Sequence, residues 1–528
     1  MIKTVYFGGD ILTMEDGPAP EAILVEDGVI RQLGTAAELL RLPGAEPKNL
    51  RGRTLLPAFI DPHSHLTAYA QTFGLVSLSG ARSFDELEER LWAFVRERGI
   101  PVGGWVTGFG YDQNFLAEKR HPDKGFLDKI LPGYPVLISH ASGHMGVLSS
   151  AALRAVGITA ETPDPPGGVI GRKPGSREPS GYLEETAFTS SSAAVPQPDL
   201  ETRLKQLSLA EDSYLQYGIA TVQDGLTRQP EWELLRAAAN AGRLRLDTVC
   251  YPDMKQCPQL FTGNPLYRGR YQNRLKLGGY KIFLDGSPQG RTAWMSRPYA
   301  EDPAYCGYGI YSDGEVRGFL AAALLEGAQI LAHCNGDAAC EQLIRCYESA
   351  LEETGRPSDI RPVMIHAQLV REDQLARMAK LGMIASFFTA HSWYWGDIHR
   401  ENFGEERASF ISPARAAEDA GVCCTFHQDT PVIPPNMMET VWCAVNRTAQ
   451  SGRILGPGQR VTVEEALRAV TKNAAYQYFE EDRKGVIRQG MLADLTVLSE
   501  NPLKTDPARL REIAVCETIR EGETLYQA

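Results

Sequence analysis

At 528 residues the chain is too long for one small domain and suits a large central domain with an accessory one. Its apolar fraction of 43% and charged fraction of 23% are ordinary for a globular protein. The net charge of -12, with acidic residues spread along the chain, excludes the basic patch of a nucleic-acid binder.

The N-terminus, Met1 to Phe7, lacks the long apolar core of a signal peptide. No uninterrupted apolar run reaches membrane-spanning length, and the most apolar helical stretch, 319–331, is broken by Glu326, Gly327 and Gln329. Ten cysteines occur, none before Cys250 and none as Cys-x-x-Cys. That pattern is no disulfide framework and fits thiols in a reducing compartment. The expectation is a cytoplasmic protein with no membrane or nucleic-acid partner. Oligomeric state is left open, a homo-oligomer included.

Residues 1–54 read as short strands with tight turns. Ala22-Ile23-Leu24-Val25 and Val29-Ile30 flank Glu26-Asp27-Gly28, a hairpin signal. The C-terminus mirrors this with strand-like Gly485 to Ile487, Ala493 to Leu498, Ala514 to Ile519 and Thr524 to Tyr526. Neither end is large enough to bury a core alone. The expectation is one small β-sandwich domain built from both chain ends, 1–54 plus 483–528, beside a barrel at 55–482.

Residues 84–99 have helical apolar spacing between a Ser83 N-cap and a Gly99 stop. Strand-like Trp105 to Gly110 and Pro135 to His140 follow, then a Pro- and Gly-dense loop or hairpin over 163–181. This insertion, about 67–200, is expected to cover the active site as a lid. From about residue 200 strands alternate with helices. The strands are 219–225, 244–250, 277–286, 328–333, 362–366, 383–388 and 422–429. With Leu55 to Ile60 as the first, eight units predict an α/β fold, a (β/α)8 TIM-like barrel.

The first strand stops at Asp61-Pro62-His63-Ser64-His65. Residues two apart in a strand share a face, so His63 and His65 can point at one spot, as half a metal site. Lys281, His333, His366 and Asp429 stand at other inferred strand ends, the face that carries active sites in such barrels. Each has a structural alternative. His333 fits a surface position before a turn, and His366 a satisfied core position. Asp429 fits a helix N-cap, and Lys281 a snorkelling side chain. Jointly they favour a site.

These residues carry a family resemblance. Pro62-His63-Ser64-His65, Ser142-Gly143-His144, Pro166-Gly167-Gly168, Lys281 to Ser287, His333 to Ala338, Ile365-His366-Ala367-Gln368, Asp429-Thr430-Pro431-Val432 and Gly490 to Leu495 span nearly the whole length. The chain resembles the amidohydrolase superfamily, and within it the metal-dependent hydrolases that include N-substituted formamide deformylases. The resemblance implies one or two divalent ions, zinc by default. His63 and His65 would hold the more buried ion and His333 and His366 the second. Lys281 would bridge them as a carbamate in the family's manner, since an ammonium cannot ligate a cation. Asp429 would touch the first ion and act as general base. Many relatives have Ser-Asp where this chain has His427-Gln428-Asp429, which leaves His427 either adding a hydrogen bond or restricting the pocket.

The reaction so implied is hydrolysis of a C–N bond in a small amide, formamide or cyclic amide by metal-activated water. His144 is a candidate second oxyanion donor or a loop histidine. Candidate substrate contacts are Trp105, Tyr111, Asp285, Gln289, Arg291, His391 and Trp395. Arg291 suits a bidentate clamp on a carboxylate or a structural bridge to Asp285. Rivals are a deaminase or an esterase on the same metal site, and, from another class, a non-catalytic regulatory or binding protein.

Overall fold

The structure, a computed structural model, describes residues 3–196, 198–355 and 359–528. It is a mixed α/β chain in two compact units. One comprises Met1–Leu66, Ala210–Thr430 and Pro434–Ala528, the other Thr67–Leu209 with Pro431–Ile433.

In the first unit nine parallel strands form two sheets among the described residues. They are β1 (Phe59–Ile60), β2 (Ile219–Thr227), β3 (Asp247–Pro252), β4 (Leu275–Leu277), β5 (Gly279–Phe283), β6 (Gln329–Cys334), β7 (Val363–His366), β8 (Ile384–Phe387) and β9 (Cys423–Phe426). The sheet orders are β4-β3-β2-β1 and β5-β6-β7-β8-β9. These strands read as nearly continuous apolar runs because both faces are covered. Ile60, Val249, Tyr251, Leu331, Val363, Ile365 and Ile384, drawn from both sheets, share one apolar cluster. Each β-to-helix segment returns the chain parallel, so β6 to β9 end side by side. Phe283 pairs with His333, Cys334 with His366, and His366 with Phe387.

The two chain ends meet in antiparallel pairing. Leu495–Leu498 lies along Thr54–Pro57 in a five-stranded sheet with Asp10–Ile11, Val515–Arg520 and Glu523–Gln527. A four-stranded sheet holds Lys3–Phe7, Ala22–Glu26, Val29–Gly34 and Ala45–Asn49. Its hairpin turns at Asp27 and Gly28, both left-handed, as a two-residue turn requires. Gly485 to Ile487, expected as a strand, forms none; the Ile487 amide donates to Thr13 O instead.

The second unit is a six-stranded sheet, with helix Phe84–Arg98 packed on one cluster of its side chains. Ser83 caps that helix by accepting from the Glu86 amide, and Gly99 ends it at φ 60°. The Pro- and Gly-dense segment is a hairpin of Gly168–Arg172 and Pro179–Glu185. Among the described residues no helix is long and apolar enough to cross a membrane.

Candidate metal centre

The loop after β1 is stitched to its neighbours through the backbone. The Asp61 amide donates to Thr221 O, the Gly225 amide to Ser64 O and the His65 amide to Thr430 O. Those bonds turn both imidazoles of His63-Ser64-His65 inward, beside Asp429 after β9. Asp429 Oδ1 lies 3.3 Å from Nε2 of His63 and 3.3 Å from Nε2 of His65. Lys281, central in β5 and buried, reaches the same spot, with Nζ 3.3 Å from His63 Nε2. From β7, His366 Nε2 stands 3.8 Å from Asp429 Oδ2, and His333 Nδ1 is 3.2 Å from His366 Nε2. The structure thus gathers Lys281, His333, His366 and Asp429 with the His63–His65 pair.

Hydrogen bonds settle which nitrogen faces inward. Gln223 Nε2 donates to Pro62 O and to Tyr478 Oη, so its Oε1 is what meets His63 Nδ1 at 2.6 Å. His63 therefore carries its proton on Nδ1 and turns the Nε2 lone pair inward. His333 Nε2 lies 3.2 Å from Gly286 O and 3.0 Å from Asn335 Nδ2, which leaves Nδ1 as the nitrogen turned inward, toward His366. Gln223 is absent from the sequence-derived site. It sits in the predicted strand 219–225, but a neutral amide has no ligand signature.

Charge follows burial. Desolvation, with the nearby Lys281, holds His63 well below the usual imidazole range, and desolvation with His333 does the same to His366. Both are neutral, as ligands must be. Burial lowers Lys281 to about 7 against the pull of Asp429. Burial opposes the Asp429 charge, yet contact with His65 and the nearness of His366 and His63 hold it well below the usual carboxylate range.

This donor set fits a cation. One ligand atom each from His63, His366 and Asp429 lie within 4.8 Å of one another. Asp429 Oδ1 is buried without a well-directed hydrogen bond. Lone pairs converging on a carboxylate repel unless a positive ion lies between them. Imidazole and carboxylate ligands together suit zinc and similar divalent ions.

The remaining predicted residues are differently employed. Asp285 is fully buried, and its oxygens accept from the amides of Trp294, Asn335 and Gly336. It fastens the loop after β5 to the loop after β6. Arg291 donates to Asn402 Oδ1 and Glu301 Oε2. Trp105, expected in the pocket, packs in its own unit against the apolar cluster around Leu137, Leu148 and Phe188. Tyr111 is buried in that unit and its hydroxyl meets His121 Nδ1 at 2.9 Å. There too, His144 Nδ1 donates to Glu185 Oε2 at 2.8 Å. His391 opens helix His391–Phe403, is buried, and lies 6.1 Å from the His366 ring. Desolvation keeps it neutral. Trp395 packs on Phe388 and His391. Trp393 turns to Trp442 and Arg511.

The sequence matches the amidohydrolase family over residues 48–526. It is 29% identical over 546 residues to YtcJ of Bacillus subtilis (strain 168), a protein named as an amidohydrolase, covering all of both chains. It is 29% identical to the N-substituted formamide deformylase of Arthrobacter pascens, over 96% of this chain and 95% of that one. A solved metal-dependent hydrolase from Pyrococcus horikoshii OT3 superposes with a TM-score of 0.77 at 25% identity, covering 96% and 99% of the two chains. With a match across nearly its whole length and inward-turned donors fit for a divalent ion, the chain belongs to the amidohydrolase family of metal-dependent hydrolases.

Proposed function

We propose that this protein hydrolyses a C–N bond in a small amide, with N-substituted formamides and cyclic amides as the foremost substrates. The observation that carries this is the convergence of neutral imidazole lone pairs with the ionised Asp429 and the buried Lys281. Similarity to a protein named for formamide deformylation supports the bond type.

His63, His65 and Asp429 would hold one divalent ion, and His333 and His366 a second, zinc in both cases. Lys281 would bridge as its carbamate, an anion that an ammonium cannot replace. Bound ions would supply Lewis acidity, bringing a water's pKa toward neutrality and polarising the scissile carbonyl. Asp429, ionised at neutral pH, accepts the proton released by the attacking water and returns it to the leaving nitrogen. His391, beside His366 and with no hydrogen-bond partner at Nδ1 among the described residues, orients the substrate.

The same reading extends to the fold. The two parallel sheets are arcs of one (β/α)8 barrel, supported by the parallel bridge between Asp253 and Lys281. The terminal sheets form a small β-sandwich, supported by the bridge between Val29 and Leu492.

The test is an activity screen of N-substituted formamides, N-acyl amino acids, cyclic imides, esters and aminated heterocycles, with elemental analysis. The expected result is hydrolysis of a C–N substrate that a chelator abolishes and zinc restores. Asp429→Asn should lower kcat by about 10²–10⁴-fold. Turnover of esters or aminated heterocycles alone would overturn the proposed bond type. A metal-loaded protein inert toward every substrate would move the assignment to a regulatory or binding role.

A further inference from the structure

Of the imidazoles around the centre, His427 is the one that the proposed chemistry leaves without work. It follows β9 and is completely buried. Its ring stacks on Phe388 at 5.6 Å and meets the His63 ring edge-on at 5.2 Å. Both of its nitrogens are engaged. Nε2 lies 3.2 Å from His366 Nδ1, and Nδ1 lies 2.8 Å from Ser386 Oγ. Ser386 is on β8, between the strands that carry the two histidines. Neither nitrogen of His427 is turned to the centre as those of His63, His333 and His366 are.

We propose that His427 and Ser386 are positioning residues, a two-step relay that fixes the ring and tautomer of His366. The proposal rests on the reading of His366 as a metal ligand through Nε2. A neutral imidazole carries one N–H. If Nε2 presents its lone pair to an ion, Nδ1 must hold the proton and donate it to His427 Nε2. His427 then carries its own proton on Nδ1 and donates to Ser386 Oγ. The opposite direction would place a proton on His366 Nε2 and close it to metal. The relay does for His366 what Gln223 Oε1 does for His63: a neutral acceptor behind the ring sets the face presented to the ion. This resolves the departure from Ser-Asp on the last strand: His427 adds a hydrogen bond and has no ligand role of its own.

The test compares zinc affinity, by competition with a chromophoric chelator, in wild type, His427→Phe, His427→Gln and Ser386→Ala. Thermal unfolding of the metal-free proteins is measured alongside. Phe fills the space but accepts nothing, whereas Gln places an amide oxygen near the former Nε2. The expected result is a loss of about 10–100-fold in affinity for one zinc in His427→Phe. His427→Gln should recover most of that loss, and Ser386→Ala should fall between Gln and Phe. Cobalt substituted into His427→Phe should show an altered visible spectrum. Equal zinc affinity in the Phe and Gln variants would overturn the relay. So would a His427→Phe protein that binds zinc as wild type does. If His427→Phe does not fold, the Ser386→Ala and His427→Gln affinities decide, because they change the relay with little loss of volume. A wild type that takes up no zinc would overturn the ligand reading itself, and the relay with it.

Discussion

At the scale of single residues, the centre is built on backbone that few side chains adopt. His366, Ala367 and Asp429 have φ of 70°, 46° and 57°, the left-handed region. Each such residue costs of order 1–3 kcal/mol and is held only where its surroundings insist on it. Here the surroundings are the two strand ends that aim an imidazole and a carboxylate at one point. A second constraint is Gly225, where a Cβ would meet His63 Cε1 at 2.7 Å and Gln223 Oε1 at 2.9 Å. Gly225→Ala should leave the fold intact but displace the His63 ring, lowering zinc affinity about tenfold or more. Chelator competition on the folded variant checks this; unchanged affinity would show that the ring has room. The imidazoles, Lys281 and Asp429 were legible in the sequence because such groups stand out at the ends of apolar strands. Gln223 was not, because its role exists only through a 2.6 Å contact spanning 160 residues. Nor did the sequence show that three backbone amides donate to Asp285.

At the scale of elements, strands and their order were largely readable. The inner strands are short apolar runs between turn residues, and helices such as Asp313–Glu326, with its Ser312 cap and Gly327 stop, carry clear end signals. Helix His391–Phe403 escaped, because its aromatic residues and Gly396 show no apolar stripe and Ala390 offers no capping side chain. Pairing of the terminal sheets was only partly readable, since register between distant edges has no local signal. One element junction depends on charge. Glu480, buried after helix Lys472–Gln477, meets Lys276 of β4, Lys484 at 3.0 Å and the Tyr271 hydroxyl at 2.8 Å. Burial opposes its ionisation, yet Lys484 and Lys276 hold it down to about 2. A carboxyl lowered from 4.5 on folding stabilises fully above about pH 4.5 and loses that contribution as pH falls toward 2. Glu480→Gln takes from the buried Lys276 its only carboxylate partner among the described residues, while Lys484 keeps Asp247, and should cost about 3–5 kcal/mol at pH 7. Urea unfolding at pH 7 and pH 4 checks this: the deficit should shrink at the lower pH, and a deficit independent of pH would refute the ionic account.

At the scale of the whole molecule, the match over residues 48–526 explains why the fold class was legible where the substrate was not. A family's ligands recur at strand ends, which leave a mark in any one sequence, whereas the wall that selects a substrate is assembled from loops. Pairing of the chain ends bears on how the molecule comes into being. Thr54–Pro57, just ahead of His63 and His65, is flanked on one side by Leu495–Leu498. On a ribosome that partner emerges about 440 residues later, roughly 20–90 s at ordinary elongation speeds. Throughout that interval His63 and His65, the first of the proposed ligands to be synthesised, hang from an unfinished sheet edge. The centre is therefore among the last parts to mature, although its first residues are among the earliest made. Nascent chains stalled with residues 490–528 still inside the ribosomal tunnel should take up no zinc, and release should restore uptake within the folding time. Zinc retained by the stalled chains would show that the parallel strands alone suffice to shape the centre.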